Sequence, residues 1–255
     1  MNQPQRNIRS LALALGFTAA NAFGFTFTSN TTLGAGDPTY DGQPIVVSNC
    51  TLTVDGVHSF ASMLLADSAV LTHSPAPAGE TNNRLDLAIT GELMIDATSR
   101  VDVNAKGYGS GAGPGAGTNA YDNASGGGYG GPGGNAYGGN VGGVSYGDLL
   151  APTGWGSGGG NMGNGTSPGG AGGGWVRLSV GGVLTVAGQL SANGEGTYDS
   201  GGAGGGFRDR KFLQQRCDAV GDARARQLHR AGQRRDRWRH GARRGLRSAV
   251  AACRA

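Results

Sequence analysis

An all-β fold is predicted by three features of this 255-residue sequence. Short runs of alternating apolar and polar residues recur between residues 51 and 103, with Gly, Asn or Asp between them. Apolar residues at helical spacing are not sustained anywhere in this stretch. A strand-turn-strand segment also occurs twice, at residues 85–107 and 176–196. Repeated units of this kind are typical of solenoids, so a parallel β-helix is the predicted architecture.

The first 22 residues predict a secretory signal peptide. Arg6 and Arg9 supply a basic region, and residues 11–20 form an apolar stretch too short to cross a ~30 Å hydrocarbon core. The tripeptide Ala20-Asn21-Ala22 matches a cleavage site, which makes Phe23 the first residue of the mature chain. A buried N-terminal helix or hydrophobic anchor is the alternative. We expect a secreted or cell-surface protein without a transmembrane span after cleavage.

The predicted strands divide into two groups. Residues 23–106 are expected to form solenoid coils, and residues 175–206 to form the coil that repeats them. The repeat aligns LDLAITGELMI, starting at residue 85, with VRLSVGGVLTV, starting at residue 176. The same strands could instead pair as hairpins in an antiparallel sandwich. Equal strand spacing in the two copies and few two-residue hairpin signals favour parallel stacking.

Residues 107–174 are predicted to be a glycine-rich insertion that leaves a coil at a turn. Glycine supplies 52 residues of the chain, and these tracts lack the strict Gly-X-Y period of collagen. Because glycine loses the most entropy on ordering, an ordered insertion needs extensive backbone hydrogen bonding; a flexible tether is the alternative. Six aromatic residues could pack on the scaffold or be exposed: Tyr108, Tyr121, Tyr129, Tyr137, Tyr146 and Trp155.

Residues 207–255 differ in composition from everything before them. This tail carries a net charge of +11, whereas residues 1–206 carry −7. Arginine supplies 14 of its 15 basic residues, as expected if a reading frame slipped in a GC-rich, glycine-rich gene. The tail is therefore predicted to be disordered or frame-shifted, and no nucleic-acid partner is expected, although a polybasic segment can bind phosphate backbones.

The coil and glycine-rich segments resemble those of glycine-rich exported or cell-surface proteins of environmental bacteria. The resemblance covers roughly residues 45–206 and rests on stretches such as RLDLAITGELMIDATSRVDVNAKGYGSGAGPGAG and GGAGGGWVRLSVGGVLTVAGQLSANGEG. It implies parallel β-helix coils with glycine-rich insertions, and it implies no catalytic residues. The resemblance implies further coils after the second glycine-rich tract, whereas this chain departs from the pattern at Phe207, which favours a frame shift and predicts a fragment.

Candidate chemistry is sparse, and no catalytic, cofactor-binding or metal-binding residue is predicted. Asp86, Asp96 and Asp102 occupy polar strand positions and could line one face, as the carboxylates of a polysaccharide-cleaving β-helix would. The outward positions of a solenoid are normally polar, so solvated surface is the expected alternative. His58 and His73 lack a third ligand at metal-like spacing. Three scattered cysteines (Cys50, Cys217 and Cys253) support neither a disulfide framework nor a zinc site.

The sequence therefore predicts an exported structural or adhesive surface protein, a passive scaffold without catalysis. Its expected partners are an extracellular glycan or the cell-surface matrix, bound through extended surface rather than a pocket. The alternative is a β-helix protein that binds or cleaves polysaccharide as a lyase or hydrolase. No small-molecule cofactor is expected.

Overall fold

The computed structural model describes residues 24–76, 82–148 and 152–197. The predicted signal peptide (residues 1–22) and the arginine-rich tail (residues 207–255) lie outside these ranges. Helix is nearly absent from the described ranges, since one 3-10 turn at Gly163–Gly165 is the only helical element there. In that part of the chain, no helix is long and apolar enough to cross a membrane.

Short β-strands dominate the structure outside the glycine-rich insertion. Each contains three to five residues, and most of their inward side chains are aliphatic or aromatic; the β-branched and aromatic ones favour extended backbone. The strands are Phe25–Phe27 (β1), Thr31–Leu33 (β2), Pro44–Ser48 (β3), Thr51–Val54 (β4), Gly56–Phe60 (β5), Ser62–Ala66 (β6), Val70–Thr72 (β7), Leu85–Ile89 (β8), Leu93–Ile95 (β9), Arg100–Asp102 (β10), Val176–Val180 (β11), Leu184–Val186 (β12) and Gln189–Ser191 (β13).

The strands form three parallel sheets that the chain visits in turn. The first sheet has the order β1-β3-β6-β9-β12, the second β2-β4-β7-β10-β13, and the third β5-β8-β11. From β3 onward the chain passes from the first sheet to the second and then to the third, and repeats that order. Every strand pair in the described residues is parallel, so the antiparallel sandwich is wrong.

The two similar sequence segments lie side by side with the register of their sequence alignment. Strand β11 pairs with β8 so that Val176 opposes Leu85 and Val180 opposes Ile89. Strand β12 pairs with β9 in the same alignment, with Leu184 opposite Leu93. Strand β13 pairs with β10 so that Leu190 opposes Val101, because the second segment is two residues shorter between these strands. Equivalent residues of the two segments therefore occupy neighbouring positions in all three sheets, although the glycine-rich insertion separates them in sequence.

The core lies between the inward faces of the three sheets. In the third sheet, His58, Leu87 and Leu178 form one inward row, and Phe60, Ile89 and Val180 form the next. The first two sheets contribute similar rows, and the buried apolar side chains form one cluster. Because each row continues from strand to strand, burial of apolar area couples neighbouring strands even where the chain between them is long.

Turns between the first and second sheets hydrogen-bond to one another. The backbone N–H groups of Asp67, Ser68 and Ala69 donate to the side chains of Asp96, Thr98 and Ser99, at 2.8, 2.9 and 3.1 Å. Asp67 and Ser68 have positive φ values of 56° and 66°, which side chains other than glycine rarely adopt. The turn contacts hold this unusual backbone in place and fix the spacing of consecutive strands.

The glycine-rich insertion is ordered by hydrogen bonds between its own extended segments. Along residues 156–160, the backbone N–H groups donate in turn to three neighbouring segments, and every third N–H donates to the same segment. Gly156 and Gly159 donate to the segment at residues 169–174, while Ser157 and Gly160 donate to the segment at residues 124–128. Gly158 donates to Ala112. A strand alternates with a period of two, so this segment has the three-residue turn of a polyproline II helix.

Glycine is required inside this bundle because neighbouring backbones approach too closely for a side chain. A Cβ on Gly127 would lie 2.5 Å from the carbonyl oxygens of both Ser157 and Gly158. A Cβ on Gly158 would lie 2.6 Å from the carbonyl carbon of Gly109 and closer still to its oxygen. Residues 124–128 and 155–160 are buried throughout. We call residues 107–148 and 152–174 the glycine unit.

Candidate functional site

Asp86 is buried on the outward side of β8, where the sequence predicts a solvated carboxylate. Its exposed fraction is 3%. Arg177, its partner in register on β11, donates from Nε and Nη2 to the two carboxylate oxygens at 2.6 and 2.5 Å. The Nε of Arg84 lies 3.6 Å from the same carboxylate. Asp86 is therefore engaged in a bidentate ion pair that links the strands on either side of the glycine unit.

Trp175 covers this ion pair and attaches the glycine unit to the third sheet. Its ring centroid lies 4.9 Å from the guanidinium carbon of Arg84 and 5.9 Å from that of Arg177, within cation–π range. Its indole N–H donates to the carbonyl oxygen of Pro152 at 2.9 Å. Trp155 packs edge-on against Trp175 and donates to the carbonyl oxygen of Asn83. These contacts fix the glycine unit to the strand framework at Trp155, within the unit, and at Trp175, directly after its C-terminal end.

Asp96 and Asp102 have local structural partners. Asp96 accepts hydrogen bonds from the backbone of Asp67, Thr98 and Ser99. Burial raises the pKa of Asp96, but hydrogen bonds from Ser99, Asp67 and Thr98 outweigh it and lower the pKa to about 2. Asp102 accepts from the N–H of Asn104 at 3.1 Å and from Nε of Arg100 at 3.3 Å.

The three carboxylates do not share a face. Asp86 lies on the third sheet, Asp96 follows a strand of the first sheet, and Asp102 lies on the second sheet. The alternative in which they line one face is therefore excluded, because the chain changes sheets between each pair of them.

His58 and His73 both point into the interior. His58 is 2% exposed; its Nδ1 lies 3.1 Å from a carboxylate oxygen of Asp41 and its Nε2 lies 3.2 Å from the carbonyl oxygen of Asp55. In the described part of the chain, no group of three or more His, Cys, Asp or Glu side chains could hold a metal ion.

His73 joins the strand framework to the residue at which the chain returns from the glycine unit. Its Nε2 accepts the backbone N–H of Trp175 at 3.1 Å, so its Nδ1 carries the proton and donates to the carbonyl oxygen of Ser74 at 2.6 Å. Burial lowers the pKa of His73 to about 4, with a smaller contribution from the positive charge of Lys106. Ser74 and Asp55 oppose this shift. The imidazole is therefore neutral at pH 7.

The aromatic residues of the glycine unit divide into packed and exposed members. Tyr108 packs edge-on against Trp155, and Tyr129 packs edge-on against Tyr146, with ring centroids 5.8 and 5.0 Å apart. Burial raises the pKa of Tyr146 to about 12. Its hydroxyl donates to the carbonyl oxygen of Trp155 and accepts from Ser157. These four rings are part of the scaffold, which the sequence alone left open.

Four large side chains of the glycine unit are exposed to solvent. Their exposed fractions range from 65% to 87%, and the residues are Tyr121, Tyr137, Val141 and Val144. Val141 and Val144 flank Gly142 and Gly143, which are buried. In an extended helix with three residues per turn, the two valines project from the same side. We call these four side chains the exposed set.

A polar cleft opens beside one member of the exposed set. It has a volume of about 350 Å³ and is lined by Asn119, Ala120, Tyr121, Asn161 and Gly165. The Oδ1 of Asn119 accepts the N–H of Asn161 at 2.7 Å, and the Oδ1 of Asn161 accepts the N–H of Gly169 at 3.3 Å. The sequence alone does not indicate that these two asparagines lie together, because they are 42 residues apart and share no motif.

Comparisons with known proteins add no relative, since no family model, curated protein or solved structure matches the chain.

Proposed function

We propose that this chain is an exported structural or adhesive protein of the cell surface, a passive scaffold that presents the glycine unit to an extracellular matrix. Its strands form the coils of a parallel β-helix, and the glycine unit is an excursion from one turn of that helix. The predicted signal peptide directs it out of the cell. Its glycine-rich tracts and repeated strand segments resemble those of glycine-rich exported bacterial proteins, which supports this role.

The order in which the chain visits its sheets supports the β-helix. The strands follow one another through the first, second and third sheets, and each pairs in parallel with its equivalent one circuit later. The inward rows stay apolar from one circuit to the next. Stacked coils of this kind make a rigid support, because each coil contacts its neighbours along its whole length.

The observation that carries the adhesive role is the exposed set on a backbone fixed by hydrogen bonds. Val141 is 65% exposed and Val144 is 66% exposed, yet Gly142 and Gly143 between them are buried and hydrogen-bonded. Exposed aromatic and aliphatic side chains on an ordered support cost little further entropy on binding. Val141 and Val144, which project from the same side, form a small apolar surface of the kind that contacts a partner.

Retention on an extracellular matrix tests this proposal. We expect the full chain to sediment with particles of an insoluble polysaccharide such as cellulose or chitin. The triple variant Tyr137→Ser, Val141→Ser and Val144→Ser should be retained on the order of tenfold more weakly, equivalent to a loss of about 1.4 kcal/mol of apolar contact. The bound fraction at increasing particle concentration measures this difference.

Val57→Ser is the matched control, because Val57 is 55% exposed but lies on β5 outside the glycine unit. It should be retained like the unmodified chain. Equal retention of the triple variant and the control would show that Tyr137, Val141 and Val144 do not contribute to the adhesive surface. Failure of the unmodified chain to sediment with any matrix would contradict the adhesive role itself.

A further inference from the structure

We propose that the cleft lined by Asn119, Tyr121 and Asn161 binds a neutral sugar residue of an extracellular glycan. This inference rests on the proposed adhesive function and names the chemical class of its partner. The cleft lies on the glycine unit, and its volume of about 350 Å³ falls at the lower end of the range for ligand pockets.

The two asparagine side chains have a defined orientation. A backbone N–H can only donate, so the atom that accepts it on each side chain is the amide oxygen: Asn161 N–H donates to Asn119, and Gly169 N–H donates to Asn161. The hydroxyl of Ser110 also contacts the oxygen of Asn161. Each amide group thus has its oxygen fixed by the protein.

The amide nitrogens of both asparagines are left for a ligand. Neither has a hydrogen-bond partner among the residues that the structure describes. Both asparagines line the cleft, the nitrogen of Asn161 from a position next to Gly111, and their amide groups can donate to a ligand there. Hydroxyl oxygens of a sugar are suitable acceptors for such donors.

Tyr121 supplies the apolar element that a sugar ring requires. Its side chain lines the cleft and is 71% exposed, unlike the tyrosines packed within the glycine unit. A tyrosine presents a flat apolar ring with a polar hydroxyl at its end, and it loses little conformational entropy when it is covered. The aliphatic face of a pyranose can stack on this ring while its hydroxyls face the amides.

Charge favours a neutral ligand over an anionic one. None of the five residues that line the cleft is charged, and the adjacent residue is Asp122. The described ranges contain eleven acidic and four basic side chains, a net charge of −7. A uronate or sulfated sugar would meet this negative field without a basic partner in the cleft.

Titration of the full chain with soluble oligosaccharides tests the assignment. The probes are neutral hexasaccharides of glucose and of N-acetylglucosamine, with oligogalacturonate as the anionic comparison. We expect saturable binding of a neutral probe with a dissociation constant on the order of 1 mM or below, measured by NMR shifts or calorimetry. Because oligogalacturonate can also bind the arginine-rich tail of the full chain, its binding should be unchanged in Tyr121→Ala, whereas that of the neutral probe should weaken.

Two variants identify the cleft as the binding site. Asn161→Asp keeps the oxygen that accepts the N–H of Gly169 but replaces the donor nitrogen, and it should weaken binding by about tenfold. Tyr121→Ala should weaken it similarly, whereas Val57→Ala, which shortens an exposed side chain on β5 outside the glycine unit, should leave affinity unchanged. Circular dichroism confirms that each variant keeps its fold.

The outcomes separate this inference from the adhesive role. Absence of saturable binding to the soluble neutral probes, or affinity unchanged in both Asn161→Asp and Tyr121→Ala, would overturn the assignment of the cleft. Retention on insoluble matrix that depends on Tyr137, Val141 and Val144 would still support adhesion in that case. If the unmodified chain is not retained on any insoluble matrix, the proposed adhesive function itself is contradicted.

Discussion

Gly158→Ala is expected to destabilise the glycine unit by at least about 3 kcal/mol. Its Cβ would overlap the carbonyl group of Gly109, and this obstacle is backbone that cannot rotate away as a side chain could. Gly158 also donates to Ala112 from within a buried segment, so displacement breaks hydrogen bonds to neighbouring segments. The midpoint of denaturant unfolding, followed by the fluorescence of Trp155 within the unit and of Trp175 directly after it, measures this loss.

Gly134→Ala provides the control for this substitution. A Cβ on Gly134 would have no atom within 4 Å, and Gly134 is not among the glycines with positive φ. Alanine there should change stability by less than about 0.5 kcal/mol, or increase it slightly by restricting the unfolded chain. Equal stability of the two variants would mean that residues 107–174 tolerate side chains throughout and do not form a close-packed bundle.

Acidification from pH 7 to pH 4 is expected to remove about 3 kcal/mol of stability through His73 alone. The folded-state pKa is lowered to about 4 from the ordinary value of 6.5. Below pH 6.5 the unfolded chain therefore binds a proton that the folded chain does not. The stability that neutral His73 provides is fully present above pH 6.5 and is lost as the pH falls to about 4. Protonation also converts Nε2 from an acceptor to a donor facing the N–H of Trp175.

Denaturant unfolding at several pH values between 7 and 4 measures this contribution. His73→Gln replaces the ring with an amide that does not titrate, so this variant should be less stable at pH 7 but lose less stability on acidification. Asp96 contributes little between pH 7 and pH 4, because its ordinary pKa of 3.8 and its folded-state pKa of about 2 both lie below this range. A variant with the same pH dependence as the unmodified chain would show that His73 does not carry the effect.

The pairing of similar segments could be predicted because the sequence shows it directly. Apolar residues at matching positions of residues 85–107 and 176–196 align the inward rows of their strands, and the structure pairs Leu87 with Leu178 in that register. A one-residue shift would turn these side chains outward, so the apolar pattern specifies the register. Parallel pairing follows from the same repeat.

The partners of the carboxylates could not be predicted, since they come from distant positions in the sequence. Arg177 lies 91 residues from Asp86, and the Asp67 N–H that Asp96 accepts lies 29 residues away from it. Polar residues at outward strand positions are predicted from the sequence to be solvent-exposed. Their structural roles become visible only when the strands are placed side by side.

Order in the glycine unit could not be deduced from side-chain patterns because its interior has almost no side chains. A weak signal exists in Val141-Gly142-Gly143-Val144, where larger residues recur at every third position. This period matches a polyproline II helix with two glycine faces turned inward. No sequence pattern predicts the cleft, because it forms where Asn119 and Asn161, which are distant in sequence, lie next to each other in the bundle.

Amide hydrogen exchange of the full chain tests the central claim that the glycine unit is a hydrogen-bonded bundle built on the parallel sheets. We expect the amides of Ser157, Gly158, Gly159 and Gly160 to exchange at least about 100-fold more slowly than those of an unstructured glycine peptide. Exchange of these amides at the unstructured rate, while the strands β8 and β11 remain protected, would contradict it.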